Sequence, residues 1–357
     1  MAVADFDPDR ALAFSDRMLG TLNESFLAMM ISIGHQTGLF DAMADLPPST
    51  SDEIAAASGL DERYVREWLG AMVTGGIATF DPGADSYLLP AEHAAALTSA
   101  AGAGNRATQM LWVACMGEVE QGVVEAFRNG GGVHYGAYER FHGIMNRVNG
   151  QIFDETLVQR TLPVVPGLIE RLEQGIDVLD VGCGSGHAIN LMACAFPRSR
   201  FIGYDFSPEG IEAGRAEAEA WGLGNARFAV RDAAEISETD AYDLITTFDA
   251  IHDQAGPREV LRQISQALRP DGDYLMVEPR ASSRLEENLD HPLGPFFYAI
   301  STMHCMTVSL ALDGEGLGAV WGEQQARELL LEAGFAEPDV HQIEGDIINS
   351  YYVVRLR

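Results

Sequence analysis

The stretch Val178-Leu-Asp-Val-Gly-Cys-Gly-Ser-Gly186 constrains this chain more than any other. A short apolar run enters a turn with alternate glycines and opens onto a helix-forming segment, which describes a strand, a tight loop and a helix. Glycines at 182, 184 and 186 let the backbone turn sharply and let a ligand approach with no Cβ atom in the way. The spacing is GxGxG; a dinucleotide fingerprint, GxGxxG, would need glycine at 187, where His stands. From Asp177 onward short apolar segments alternate with helical ones. Strands are predicted over 177–181, 200–204, 226–230, 242–248 and 273–277, with helices over about 187–196, 208–221 and 257–268. Alternation at this spacing predicts βαβ units and a parallel sheet. Asp339–Ile343 and Tyr351–Leu356, joined by a short loop, predict an antiparallel pair closing one edge.

Chemistry-bearing residues collect at the ends of these strands. Asp180 ends the first, Asp205 the second, nineteen residues past Gly186, and Asp232 follows the third. An acid at the second position accepts hydrogen bonds from both hydroxyls of a ribose in doubly wound folds, and Asp232 is placed to meet an adenine amino group. Further along, Phe248-Asp-Ala-Ile-His-Asp253 follows strand four and Val277-Glu-Pro279 ends strand five. Neighbouring strands would bring His252 and Glu278 together, the arrangement of a general base whose tautomer is held by an acid. The alternative is that His252 only shapes the pocket. The stretch Asp290–Gly322 is apolar and aromatic, with Pro295-Phe-Phe-Tyr298 and Met303-His-Cys-Met306. It reads either as a cover over the catalytic edge suited to a flat apolar substrate or as interface core. His304 within it is the second candidate base.

The front half has a different pattern. Apolar residues at helical spacing (Leu12, Leu19, Leu22, Phe26, Met30, Ile33) predict a helix over about 10–34, stopping near Gly34. Ser51 is the predicted cap of a helix to Ala57, Gly59 the turn and Glu62–Val73 a second helix. Ile77–Phe80 and Tyr87–Leu89 then form a hairpin, so that residues 40–90 make a winged-helix module. Residues 101–175 read as mostly helical. They are broken at Asn129-Gly-Gly-Gly132, after which Tyr135, Tyr138 and Phe141 cluster, as a lid or as a joint between helices.

Charge bears on partners. The formal net charge is −30, and all 23 basic residues are Arg. Residues 1–100 hold four Arg against fifteen Asp and Glu. Nucleic-acid binding rests on Lys and Arg displacing counterions from phosphates, so the winged helix is expected to serve packing and dimerisation, with no nucleic acid as partner. Phe26–Ile33, the longest apolar run near the start, falls short of the ~18–20 residues that span a bilayer. The acidic opening, MAVADFDPDR, lacks a secretory pattern. A cytoplasmic protein without a membrane partner is expected. Cys115, Cys183, Cys194 and Cys305 show no CxxC pairing, so neither a metal site nor a disulfide framework is expected.

On these residues the second half resembles the class I methyltransferases that use S-adenosyl-L-methionine (SAM). DVGCGSG (180–186) looks like their first motif, Asp205 with Phe206 beside it like their ribose acid, and Arg231-Asp232-Ala233 like their adenine turn. Phe248 and Asp249 fall in their fourth motif, Leu268–Gly272 in the bend before strand five, and the final hairpin suits their reversed last strand. With the winged-helix front, the chain is similar to actinobacterial two-domain methyltransferases of small molecules. The resemblance implies SAM as cofactor and an α/β, Rossmann-like doubly wound sheet with an antiparallel last strand, preceded by a mostly helical winged-helix domain. Asp180, Gly182, Gly184, Gly186, Asp205, Phe206, Asp232, Ala233, Phe248 and Asp249 would bind cofactor. Phenolic O-methyltransferases of the plant type show a similar His-Asp and Glu, which implies O-methylation with His252 as base. Gln254 stands where they carry Trp, and their second orienting acid has no counterpart here. The expected division is 1–100 for a dimerisation domain, 101–175 for a helical linker or lid, and 176–357 for the SAM domain, with a lid insertion at 285–322. The product of this reasoning is a homodimeric methyltransferase acting on a small apolar or aromatic metabolite. The rivals are a SAM-sensing winged-helix transcriptional regulator and a SAM-binding enzyme of another reaction, such as a cyclisation.

Overall fold

A computed structural model describes residues 6–357. The chain forms two compact units, the first ending at Gly117 and the second running from Glu118 to Arg357.

The first unit opens with a helix over Pro8–Gln36, capped by Asp7, whose carboxylate accepts the N–H groups of Asp9 and Arg10. This helix passes through Gly34, where the periodicity predicted a stop. A Cβ at residue 34 would fall 2.5 Å from the Trp68 ring and 2.9 Å from Phe40, so the glycine there serves close packing. Trp68 in turn donates its indole N–H to the Met30 carbonyl at 2.8 Å. One face of the long helix stays exposed, with Leu12, Phe14, Leu19, Leu22 and Phe26 all more than half accessible.

The next helix, Ser51–Ser58, is capped by Thr50 and not by Ser51. Thr50 accepts the Glu53 N–H, and the Glu53 carboxylate accepts the Thr50 N–H at 2.8 Å, a capping box. Ser51 is the first helical residue, and its hydroxyl donates to Glu62. Gly59 turns the chain at φ 69°, and Glu62–Thr74 follows, capped by Asp61. Strands β1 (Thr79–Asp81) and β2 (Ser86–Leu88) pair antiparallel as the wing. Phe40, Ile54, Val65, Trp68, Leu69 and Met72 form the buried centre. On Glu62–Thr74 both arginines are ion-paired along the helix, Arg63 with Glu67 and Arg66 with Glu62.

The second unit holds β3 (Asp177–Val181), β4 (Arg200–Asp205), β5 (Ala226–Val230), β6 (Tyr242–Phe248), β7 (Leu268–Pro279), β8 (Asp339–His341) and β9 (Asn349–Val354). Their order across the sheet is β5-β4-β3-β6-β7-β9-β8. The first five are parallel; β9 runs antiparallel to β7, and β8 to β9. Successive side chains of a strand point to opposite faces, so apolar runs supply two layers at once. Leu179, Ile245 and Tyr274 join one core with Trp321 and Phe335, while Val178, Leu244 and Leu275 join another with Ile189 and Phe201.

Strand β7 is longer than the predicted 273–277. Leu268 already pairs with Tyr242, and the register then shifts so that Asp273 faces Leu244, leaving Arg269–Gly272 as an irregular excursion. From β3 the chain winds outward through β4 and β5, then returns to β6 on the other side of β3. That reversal opens a crevice at the carboxyl ends of β3 and β6, where ligands bind in open α/β sheets. No helix among the described residues is long and apolar enough to cross a membrane.

Candidate functional site

The glycine loop after β3 lines this crevice. Gly182, Gly184 and Gly186 all have positive φ (74°, 54° and 72°), yet their surroundings differ. A Cβ on Gly182 would lie 2.6 Å from that of Ala250, and one on Gly186 would lie 2.3 Å from the Phe228 ring. These two glycines admit neighbouring side chains. A Cβ on Gly184 would meet nothing within 4 Å, so that position borders open space. Asp205, buried at the end of β4, ties the loop down: its Oδ2 accepts the Gly184 N–H and its Oδ1 the Ser207 N–H, each at 2.8 Å.

The other predicted cofactor residues gather around the same edge. Asp180 is buried and accepts the Thr246 hydroxyl at 2.7 Å. Burial, opposed by that bond and helped by nearby Asp205, pushes its carboxyl up to about 7. Asp232 caps a short turn over Ala233–Glu235 by accepting the Ala234 N–H, and Ala233 is buried under it. Phe206 is half exposed, with its ring edge-on to Tyr135 at 5.2 Å. Phe248 ends β6 and meets Phe153 edge-on at 5.2 Å. Asp249 follows at φ 51°, and burial, with Glu278 nearby, raises its carboxyl to about 7.

Beside the loop lies a cleft with about 480 Å³ of empty space. Asp180, Gly182, Gly184 and Phe248 form one wall. Met145, Asn146, Asn149, Gly150 and Phe153 of the helix Phe141–Thr156 contribute to the other. Sequence reasoning left that helix without a role beyond linker or lid.

His252 and Glu278 meet as the sheet order requires. The imidazole Nδ1 lies 2.6 Å from Glu278 Oε2, with both residues buried. The carboxylate is held from two further directions: Oε1 accepts the Ile251 N–H at 2.9 Å, and Oε2 also accepts the Trp321 indole N–H at 3.2 Å. Burial disfavours the imidazolium, but the Glu278 charge, the hydrogen bond the ring makes to that carboxylate and nearby Cys305 outweigh it and hold His252 well above its usual range. Asp253, close to the same pair, is raised to about 7 by burial. Gln254 donates to the Ala250 carbonyl; an indole does enter this site, but from Trp321.

His304 lies in other company. Its ring stacks on Phe141, with centroids 3.7 Å apart and planes within 5°, and Tyr138 and Tyr135 stand edge-on to it. It is Cys305, given no role from sequence, that lies close to His252. The glycine run joins this region through close contact. A Cβ on Gly132 would fall 1.8 Å from the Thr307 carbonyl oxygen, and Val133 N–H donates to the Thr307 hydroxyl. Neither Cys305 nor Trp321 carries a local signal, since both reach the site only through the fold of residues 285–322.

Residues 25–99 match the family model of the Rv2258c-like winged HTH domain, and residues 172–333 match that of a methyltransferase domain. An uncharacterised methyltransferase of Bacillus subtilis (strain 168) is 32% identical over 119 residues, covering 32% of this chain and 46% of that protein. The chain thus matches under half the length of that relative. Among solved structures, mitomycin 7-O-methyltransferase superposes with a TM-score of 0.71 at 18% identity, covering 98% of this chain and all of the other. Human N-acetylserotonin methyltransferase, in complex with SAM, gives 0.67 at 16% identity over the full length of both. At these identities the likeness is one of fold.

Proposed function

From a chain that joins an Rv2258c-like winged helix-turn-helix domain to a methyltransferase domain, we propose a SAM-dependent methyltransferase acting on a hydroxyl of a small apolar or aromatic metabolite. The observation that carries this reading is the buried His252–Glu278 pair at the carboxyl edge of the sheet that holds the glycine loop. The loop fits the cofactor: Gly184 borders open space, and the Asp205 carboxylate stands beside it at the end of β4. Asp205 would hold the ribose, Asp232 and Ala233 the adenine, and Asp180 with Phe248 the wall beside the methionine portion. When bound, the cofactor's sulfonium supplies an electrophilic methyl group, which leaves the protein to position the acceptor.

His252 takes the acceptor's proton as the methyl arrives. Glu278 keeps Nδ1 protonated, so Nε2 carries the accepting lone pair. With Nδ1 engaged by Glu278, Nε2 is the nitrogen left for the incoming hydroxyl. Tyr135, Tyr138 and Phe141 around His304 support an apolar, aromatic substrate, with 285–322 as its cover. Incubation with SAM and a panel of phenols and alcohols is expected to yield S-adenosylhomocysteine together with a methyl ether. S-adenosylhomocysteine without an ether would favour another acceptor atom, and no turnover of SAM would remove the reading.

The same proposal includes a homodimer formed through the first unit. The exposed apolar row on Pro8–Gln36 is the kind of surface that marks an interaction site, and a second copy is the partner always at hand. Light scattering is expected to report twice the chain mass at micromolar concentration; a monomer there would refute this. The in-helix pairing of Arg63 and Arg66 supports a packing role for the winged helix over a regulator's contact with DNA phosphates.

A further inference from the structure

His187 directly follows the last glycine of the loop and begins the helix His187–Ala195. Its imidazole is engaged at both nitrogens: Nδ1 lies 2.8 Å from Glu217 Oε1, and Nε2 lies 3.0 Å from Asp154 Oδ1. The ring thus has a carboxylate partner on each side. The Glu217 side is anchored. That residue sits on the helix Pro208–Ala220, and Asn190 donates to its Oε2 at 2.8 Å and to the Gly214 carbonyl at 3.0 Å. The Trp221 ring stands edge-on to the imidazole at 5.7 Å.

The Asp154 side differs. Asp154 belongs to the helix Phe141–Thr156, whose inner face lines the cleft with Asn146, Asn149 and Gly150. Met145 and Phe153 of the same helix also line the cleft, and Phe153 packs on the core, so the ion pair adds to an apolar hold. Gly150 faces the ring: a Cβ there would stand at ordinary contact distance, 3.7 Å from His187 Cδ2. One imidazole therefore fastens the cleft's outer wall to the start of its inner one.

We propose that Asp154, His187 and Glu217 form a latch that holds the helix Phe141–Thr156 over the cofactor cleft and sets how long SAM and its demethylated product stay bound. This rests on the methyltransferase reading above. The latch acts on retention: the cofactor enters and leaves past this helix, and product release commonly limits turnover in enzymes with closing segments. His187 and Asp154 are positioning residues, removed from the His252–Glu278 pair that handles the proton.

The test measures release of S-adenosylhomocysteine from the full chain by stopped-flow displacement, with KM for SAM and single-turnover methyl transfer alongside. Asp154→Asn is the primary variant, because that side chain is 56% exposed and does not line the cleft, so its loss spares the fold. It is expected to speed release roughly fivefold, the upper end for an exposed ion pair, and to raise KM in step while the single-turnover rate holds. His187→Gln should do the same more strongly, and Asp154→Glu should restore slow release. A wild-type release rate in Asp154→Asn would overturn the latch whatever His187→Gln does, because His187 itself lines the cleft. So would a parallel fall in the single-turnover rate, which would indicate general distortion. If the wild-type chain retains no S-adenosylhomocysteine at all, the methyltransferase reading fails and takes the latch with it.

Discussion

His252→Ala lowers methyl transfer about 10²–10⁴-fold, the usual contribution of a general base, while the affinity for SAM stays near that of the wild type. An alcohol or phenol must lose its proton as the methyl arrives, and His252 holds the imidazole paired with Glu278 at 2.6 Å. The pH profile carries the sign. A base acts in its neutral form, and His252 is held well above its usual range because Glu278 outweighs burial. The rate should therefore climb with pH through a midpoint above the ordinary imidazole value of about 6.5.

Glu278→Gln removes the charge that raises His252, so its midpoint should move to lower pH and its maximal rate fall less than in His252→Ala. Glutamine offers one acceptor oxygen where the carboxylate offers two, so the Ile251 N–H or the Trp321 indole loses its partner, and thermal unfolding should be followed alongside. The same pairing stabilises the fold below the unfolded imidazole's pKa, and that contribution fades as pH rises through the higher folded value. A wild-type rate in His252→Ala with the true substrate would refute the base assignment.

Asp205→Ala should weaken SAM binding at least ~10-fold by calorimetry, since hydrogen bonds to a charged group contribute roughly 1.5–3 kcal/mol. The structure adds a second route to the loss. The same carboxylate holds the N–H groups of Gly184 and Ser207, so its removal also frees the loop that borders the cleft. Asp205→Asn keeps one acceptor oxygen and should fall between alanine and wild type. Unchanged affinity in Asp205→Ala would refute the ribose assignment.

Much of the α/β unit was legible because each strand is an apolar run bounded by turn residues. Strands β3, β5 and β6 lie where the sequence puts them. β7 outruns its prediction because Arg-Pro-Asp-Gly does not read as strand, although the sheet carries it as an irregularity. The Thr50 cap was legible too: Thr50 stands three residues before Glu53, the spacing a capping box requires, and adjacent Ser51 does not. Gly34 shows the opposite case. A helix's end and a helix's closest contact look alike in sequence, and only Trp68 tells them apart. Around His252, the pairing with Glu278 followed from strand adjacency. The contacts of Trp321 and Cys305 did not, because they come from 43 and 53 residues away through a segment with no period of its own.

The register of β7 makes the site more sensitive to spacing than to side-chain identity. Glu278 is paired across β9 with Ser350 and lies just past Val277, which faces Phe248 on β6. Removing one residue between Asp273 and Val277 would invert every side chain beyond it, turning the carboxylate away from His252. One residue more or less within Arg269–Gly272 would be taken up by the excursion already there. Length can thus drift among relatives on one side of Asp273, but on the other side the strand works as a ruler whose marks cannot move.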